Sequence, residues 1–174
     1  MGKFIGGIVF TVLIIVIGGY IVLKAGMVDM SADQTPSRLE RRLGGTALDA
    51  SVAKRAADLK NPLEATDANL LEGMHIYVQN CAECHGDPKE QESRFGSALN
   101  PQAPQFMKST PDMPENENYY IARHGVRLTG MPAWDKLLSD DQLWKVTAFL
   151  SHMEKLPAAV EQEWRNPPPA APKK

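Results

Sequence analysis

Residues 81–85 read Cys-Ala-Glu-Cys-His, and Cys81 and Cys84 are the only cysteines in the chain. Two thiols three positions apart leave one turn of backbone and must reach a common partner from it. His85 follows without a spacer, so its imidazole emerges beside them. This spacing is the attachment signature of a c-type haem, with two thioethers to the porphyrin and the imidazole as proximal iron ligand. Two other chemistries use the Cys-x-x-Cys half. A redox dithiol belongs in a βαβ setting and has no use for the adjacent histidine. A structural zinc site needs four ligands, and the chain has no further cysteine to offer.

The 174 residues amount to roughly one domain plus attachments. A formal charge of −2 is too near neutral to point to nucleic acid. Covalent haem attachment takes place on exported apoprotein. With both cysteines consumed, oxidising surroundings cost the fold nothing. The exporting segment stands at the start: Phe4 to Leu23 carries no charge. At about 1.5 Å per residue this run spans roughly 30 Å, one bilayer core. Tyr20 suits an interfacial aromatic. The competing signal peptide has a shorter apolar region, about 7–15 residues, and a small-x-small cleavage site. Here the run flows into Leu23-Lys24-Ala25-Gly26-Met27 without such a site. Residues 1–24 are therefore expected to be an uncleaved single-pass anchor in the inner (cytoplasmic) membrane. Charge argues otherwise about orientation: Lys24, Arg38, Arg41 and Arg42 follow the run, against Lys3 before it. Positive-inside counting would keep the following segment in the cytoplasm. The haem motif overrides it and places everything after Lys24 on the periplasmic side.

Residues 25–66 read as a connector. Gly44-Gly45 is expected to break any helix there. Residues 47–60 form a helix by propensity, ended by Asn61-Pro62, and serve as a spacer or a docking helix for a neighbouring subunit. Asp67 to Asn80 is predicted to be a helix capped by Thr66, with Leu70, Leu71, Met74, Tyr77 and Val78 on its apolar face. Residues 86–118 are rich in Pro, Gly, Asn and Glu and read as loops around a pocket. A short helix is expected over Glu117–His124, then a loop to Trp134. A last helix runs from Ser139 to Lys155, opened by the capping box Ser139-x-x-Gln142. The tail, residues 157–174, holds Pro167-Pro168-Pro169 and Pro172 and is expected to be extended and unpacked.

Residues 67–156 resemble a class I cytochrome c. The resemblance rests on the first helix with Gly73 and Tyr77, the motif Cys81 to His85, the Gly130-Met131-Pro132 loop and the aromatic-bearing terminal helix. It implies an all-α haem domain behind a single N-terminal transmembrane helix, with one covalent haem c. It also implies that the first and last helices cross closely, Gly73 and Tyr77 meeting Val146 and Phe149.

A haem held by His85 needs a sixth ligand or has an open site, and Met131 is the expected ligand. Gly130 lets the backbone pass near the ring, and Pro132 stiffens the loop. A thioether is soft and neutral, so a His/Met pair raises the potential. Met113 also precedes a proline, and His124 is the histidine that could compete. The resemblance further implies a proline carbonyl on the proximal imidazole, Pro104 fitting better than Pro101. Arg123 and Arg127 are candidates for haem propionates or are simply solvated. Trp134 packs near the propionate edge or in the core.

With both axial positions filled, the expected function is one-electron transfer without catalysis. Expected partners are membrane redox complexes: a quinol-oxidising complex or dehydrogenase on one side, a terminal oxidase or reaction centre on the other. The chain is either a tethered carrier or a fixed subunit of one complex. The alternative is a haem enzyme or gas sensor with an open sixth position. From Asp67 to Lys155 there are 13 acidic and 8 basic side chains, a balance that steers toward basic partner faces or only keeps the domain soluble.

Overall fold

The computed structural model describes residues 2–169, and Pro172 lies outside them. Among the described residues there is no strand: the chain is eight helices. It divides into two compact units, residues 1–34 and 35–174. The first unit is α1 (Gly2–Lys24), apolar throughout and with no buried residue. Among the described residues it is the one helix that is long and apolar enough to cross a membrane.

In the second unit two helices form the frame. α3 (Asp67–Asn80) starts where the Thr66 side chain accepts from Asn69 N–H. α7 (Asp140–His152) starts at the reciprocal Ser139/Gln142 box, at 3.3 and 3.0 Å. Each cap satisfies N–H groups that the first turn leaves without helical partners. The two helices cross in contact at Gly73, where a Cβ would sit 2.1 Å from the Lys145 carbonyl oxygen and 3.1 Å from Phe149 Cβ. A glycine inside a helix costs about 1 kcal/mol relative to alanine. The close crossing offsets this, since Leu70, Met74 and Phe149 become fully buried at about 1.5–3 kcal/mol each. The backbone that Gly73 meets belongs to Lys145, one residue before the expected Val146. Tyr77 does meet Phe149, ring centroids 5.7 Å apart.

Two expectations from the sequence fail. The pair Gly44-Gly45 does not break a helix: α2 runs from Arg38 to Ala56, straight through it. Ser37 caps its start, and its other end is anchored by tertiary contact. Val52 and Ala56 are buried, and Asn116 Nδ2 donates to the Ala56 carbonyl at 2.8 Å. α2 ends at Ala56, before the expected Lys60. The segment after Pro157 is not unpacked either: Ala158–Trp164 is a helix, α8. Val160 is fully buried. The Trp164 ring lies edge-on to Tyr77 and Phe149, with centroids 5.6 and 5.1 Å away. His75 and Glu163 tie α3 to α8 at 2.5 Å, and Lys89 Nζ donates to the Pro167 carbonyl at 2.5 Å. Pro157 sits at the N-cap of α8, where a missing N–H costs nothing.

The rest is short. α4 (Ala82–His85) continues α3 through the cysteine motif, and α5 (Arg94–Ser97) is one turn inside the region read as loop. α6 (Glu115–His124) packs between α2 and α7.

Gly73→Ala is expected to destabilise the protein by about 2 kcal/mol or more, because the backbone of α7 must move away. Chemical denaturation followed by circular dichroism measures it. An unchanged midpoint would show that α3 and α7 do not cross as described.

Candidate haem site

The Cys81–His85 turn is held from three directions. From α3, Tyr77 Oη donates to the Gly86 carbonyl at 2.7 Å. The phenol is buried, and burial pushes its pKa up, so it stays a donor. From α5, Ser93 Oγ donates to the Glu83 carbonyl, and Gly96 lies so close that a Cβ would fall 1.8 Å from the Cys84 carbonyl oxygen. From the segment after α5, Gln105 bridges both sides. Its Oε1 accepts from Ser93 N–H at 2.7 Å, and its Nε2 donates to the Cys84 carbonyl at 3.0 Å. Phe106 N–H donates to the His85 carbonyl at 2.9 Å. Ser93, Gly96, Gln105 and Phe106 carry no periodic or motif signal.

The His85 imidazole has one committed nitrogen. Its Nδ1 donates to the Pro104 carbonyl at 2.8 Å, which leaves Nε2 as the free ligating atom. Burial lowers the His85 pKa, the Pro104 bond opposing it in part, so the ring is neutral and its lone pair is available. Phe106 stacks on the ring, centroids 4.4 Å apart and planes within 6°. One hydrogen bond and one stacked face together fix the imidazole plane.

Met131 lies in a loop folded back on the end of α6. Val126 N–H donates to the Met131 carbonyl at 3.1 Å, and Trp134 N–H to the Ala122 carbonyl at 3.2 Å. Thr129 Oγ1 accepts from Met131 N–H at 3.0 Å and donates to the Val126 carbonyl at 2.7 Å. Within this loop Leu128 has φ 63° and an exposed side chain. The loop also touches the cysteine side of the site: a Cβ on Gly130 would lie 2.7 Å from Leu99 Cδ1, and Leu99 N–H donates to the Gly96 carbonyl at 3.3 Å. A continuous path of contacts therefore joins Met131 to Cys84 through Gly130, Leu99 and Gly96.

The other named residues fall as follows. Arg127 is exposed in the Met131 loop. Arg123 pairs with Asp140 and donates to Tyr119 Oη at 2.8 Å. Met113 precedes α6, its carbonyl accepting from Asn118 at 2.9 Å. His124 is exposed at the end of α6, its ring 4.5 Å from that of Tyr120.

These residues fit a covalently bound haem. Burial, with Cys84 adding to it, pushes the Cys81 thiol up to about 12. A neutral thioether puts no charge into that buried position, whereas a thiolate would. Trp134 Nε1 is buried without a hydrogen-bond partner among the described residues. A buried donor without an acceptor is costly, and a carboxylate such as a haem propionate supplies one. Among the described residues no group of three or more His, Cys, Asp or Glu side chains is placed to hold a metal ion on its own.

Residues 68–150, just under half the chain, match the protein family described as "Cytochrome C oxidase, cbb3-type, subunit III". No solved structure matches the chain. The matched stretch runs from α3 through the Cys81–His85 turn and the Met131 loop to α7, and it is a cytochrome c domain.

Trp134→Phe is expected to cost about 1.5–3 kcal/mol in the haem-loaded protein, the worth of a hydrogen bond to a charged group. It is also expected to lower the reduction potential, since a less stabilised carboxylate favours the ferric state. Unfolding and potentiometry read the two effects. Unchanged or increased stability at an unchanged potential would remove Trp134 from the haem site.

Proposed function

We propose that this cytochrome c domain is a one-electron carrier, tethered to a membrane by α1 and delivering electrons to a terminal oxidase as its haem subunit or close partner. The observation that carries the reading is the His85 imidazole: Nδ1 bound to Pro104 at 2.8 Å, one face covered by Phe106, and Nε2 left for iron. A fixed neutral imidazole is what rapid electron exchange asks of a ligand, because little has to move between oxidation states.

Bound haem supplies the one-electron iron couple. Cys81 and Cys84 would hold it by thioethers, and His85 would ligate its iron through Nε2. Met131, in a loop held by Thr129 and Val126, would ligate the iron through its sulfur and so leave no position for a substrate. Trp134 Nε1 and Arg127 serve the propionates. The family description supports a terminal oxidase as the partner, and α1, long and apolar enough to span a bilayer, supports the tether. The tether raises the local concentration of the domain at membrane partners. The haem unit stands on the periplasmic side of the inner membrane.

Met131→Ala is expected to keep the haem covalently attached while opening the sixth position. The ferric spectrum loses the methionine–iron charge-transfer band and turns high-spin, carbon monoxide binds rapidly, and the potential falls. A wild-type protein that is already high-spin and binds carbon monoxide would overturn the carrier reading in favour of an enzyme or sensor. A spectrum unchanged by the substitution would assign the iron to another residue, with Met113 and His124 the ones to test.

A further inference from the structure

The arginines after the apolar helix play no part in the haem site, and they stand on the side of the membrane that such residues normally avoid. Arg38, Arg41 and Arg42 occupy the first turns of α2, where every residue from Ser37 to Ala47 is exposed. Leu39 and Leu43 are 66% and 62% exposed. One turn apart, they form an apolar row. Arg38 and Arg42, also one turn apart, form the row beside it. Among the described residues neither arginine has an acidic partner. The buried side of α2 is elsewhere: Val52 and Ala56 face the haem unit. At 3.6 residues per turn that side lies roughly 100–180° around the helix from Leu39 and Leu43.

An exposed leucine row beside unpaired guanidiniums has an apolar side and a cationic edge, the pattern of a helix lying in a lipid interface. The chain brings such an interface close. Residues 25–36 link α1 to the cap of α2 and reach at most about 40 Å when fully extended. Arg41 shortens that link, donating to the Pro36 carbonyl at 2.7 Å.

We propose that Arg38–Ala47 of α2 docks on the anionic phospholipid surface of the membrane that α1 spans. Leu39 and Leu43 enter the interface, and Arg38 and Arg42 bind headgroup phosphates. The opposite side of α2 carries α6, so the contact sets how the Met131 loop, which folds on the end of α6, faces along the membrane. A neighbouring protein is the other conceivable occupant. Lipid is favoured because the tether guarantees its presence and phosphate complements the arginines. The inference rests on α1 being a membrane anchor.

The test uses the full haem-loaded chain in nanodiscs of phosphatidylcholine alone or mixed with phosphatidylglycerol, with amide hydrogen exchange read over residues 38–47. Exchange is expected to be roughly 25-fold slower in the anionic discs, and the difference should fade at high salt. Arg38→Gln with Arg42→Gln is expected to abolish the difference, each arginine contributing about fivefold. Leu39→Ser with Leu43→Ser is expected to weaken protection in both lipids. Unchanged exchange over residues 70–78 reports an intact fold in each variant. Equal exchange in the two lipids, with the chain resistant to carbonate washing, overturns this inference alone. Protection that appears only after native membrane proteins are added overturns it in favour of a protein partner. A chain that carbonate strips from the membrane overturns the anchored reading and this inference with it.

Discussion

The site depends on how closely α3 and α7 approach at Gly73. The C-terminal end of α3 continues directly into the Cys81–His85 turn, while the loop that carries Met131 leads by way of Trp134 into the start of α7. Any change in the crossing therefore moves the two proposed ligand-bearing segments relative to each other. The contact of Gly73 with the Lys145 carbonyl allows no side chain between them. The rings of Tyr77, Phe149 and Trp164 then lock the crossing from one side. Close-packed interiors transmit small displacements rather than absorb them, so this contact, eight residues before Cys81, bears on the placement of both segments.

The turn itself is positioned mostly by its backbone carbonyls. Those of Glu83, Cys84, His85 and Gly86 each accept a bond from Ser93, Gln105, Phe106 and Tyr77 respectively. Fixing a backbone residue costs about 1–2 kcal/mol of conformational entropy, and a net hydrogen bond returns about 1. Four such bonds come close to offsetting the order of one short turn. The His85 side chain adds its bond to the Pro104 carbonyl and its stacking on Phe106.

The folded unit is larger than the stretch that matches the cytochrome family. α2 lies ahead of it and α8 after it, and both are seated: Val52 and Ala56 on one side, Val160 and Trp164 on the other. α8 reinforces the α3–α7 crossing. α2 leans on α6, leaving its first turns clear of the haem unit. The two additions thus do different work: α8 stabilises the frame, and α2 leaves Leu39 and Leu43 exposed in its first turns.

What the sequence by itself determined was local. The haem motif is five consecutive residues, the caps of α3 and α7 are set by residues within three positions of each other, and the long apolar helix α1 follows from a charge-free run. The tertiary structure decided what depends on distant partners. Gly44-Gly45 reads as a break, yet α2 continues because Asn116, 60 positions away, holds its far end. The proline-rich tail reads as unpacked, yet Trp164 finds a slot beside Tyr77; the i, i+4 pair Val160 and Trp164 was its only local trace. Pro104 was legible only through family resemblance, and Ser93, Gly96 and Gln105 not at all. Helix caps and apolar periods are short-range and leave a pattern in consecutive residues. A carbonyl's donor, or the backbone a glycine must admit, is brought into place only when the chain has folded.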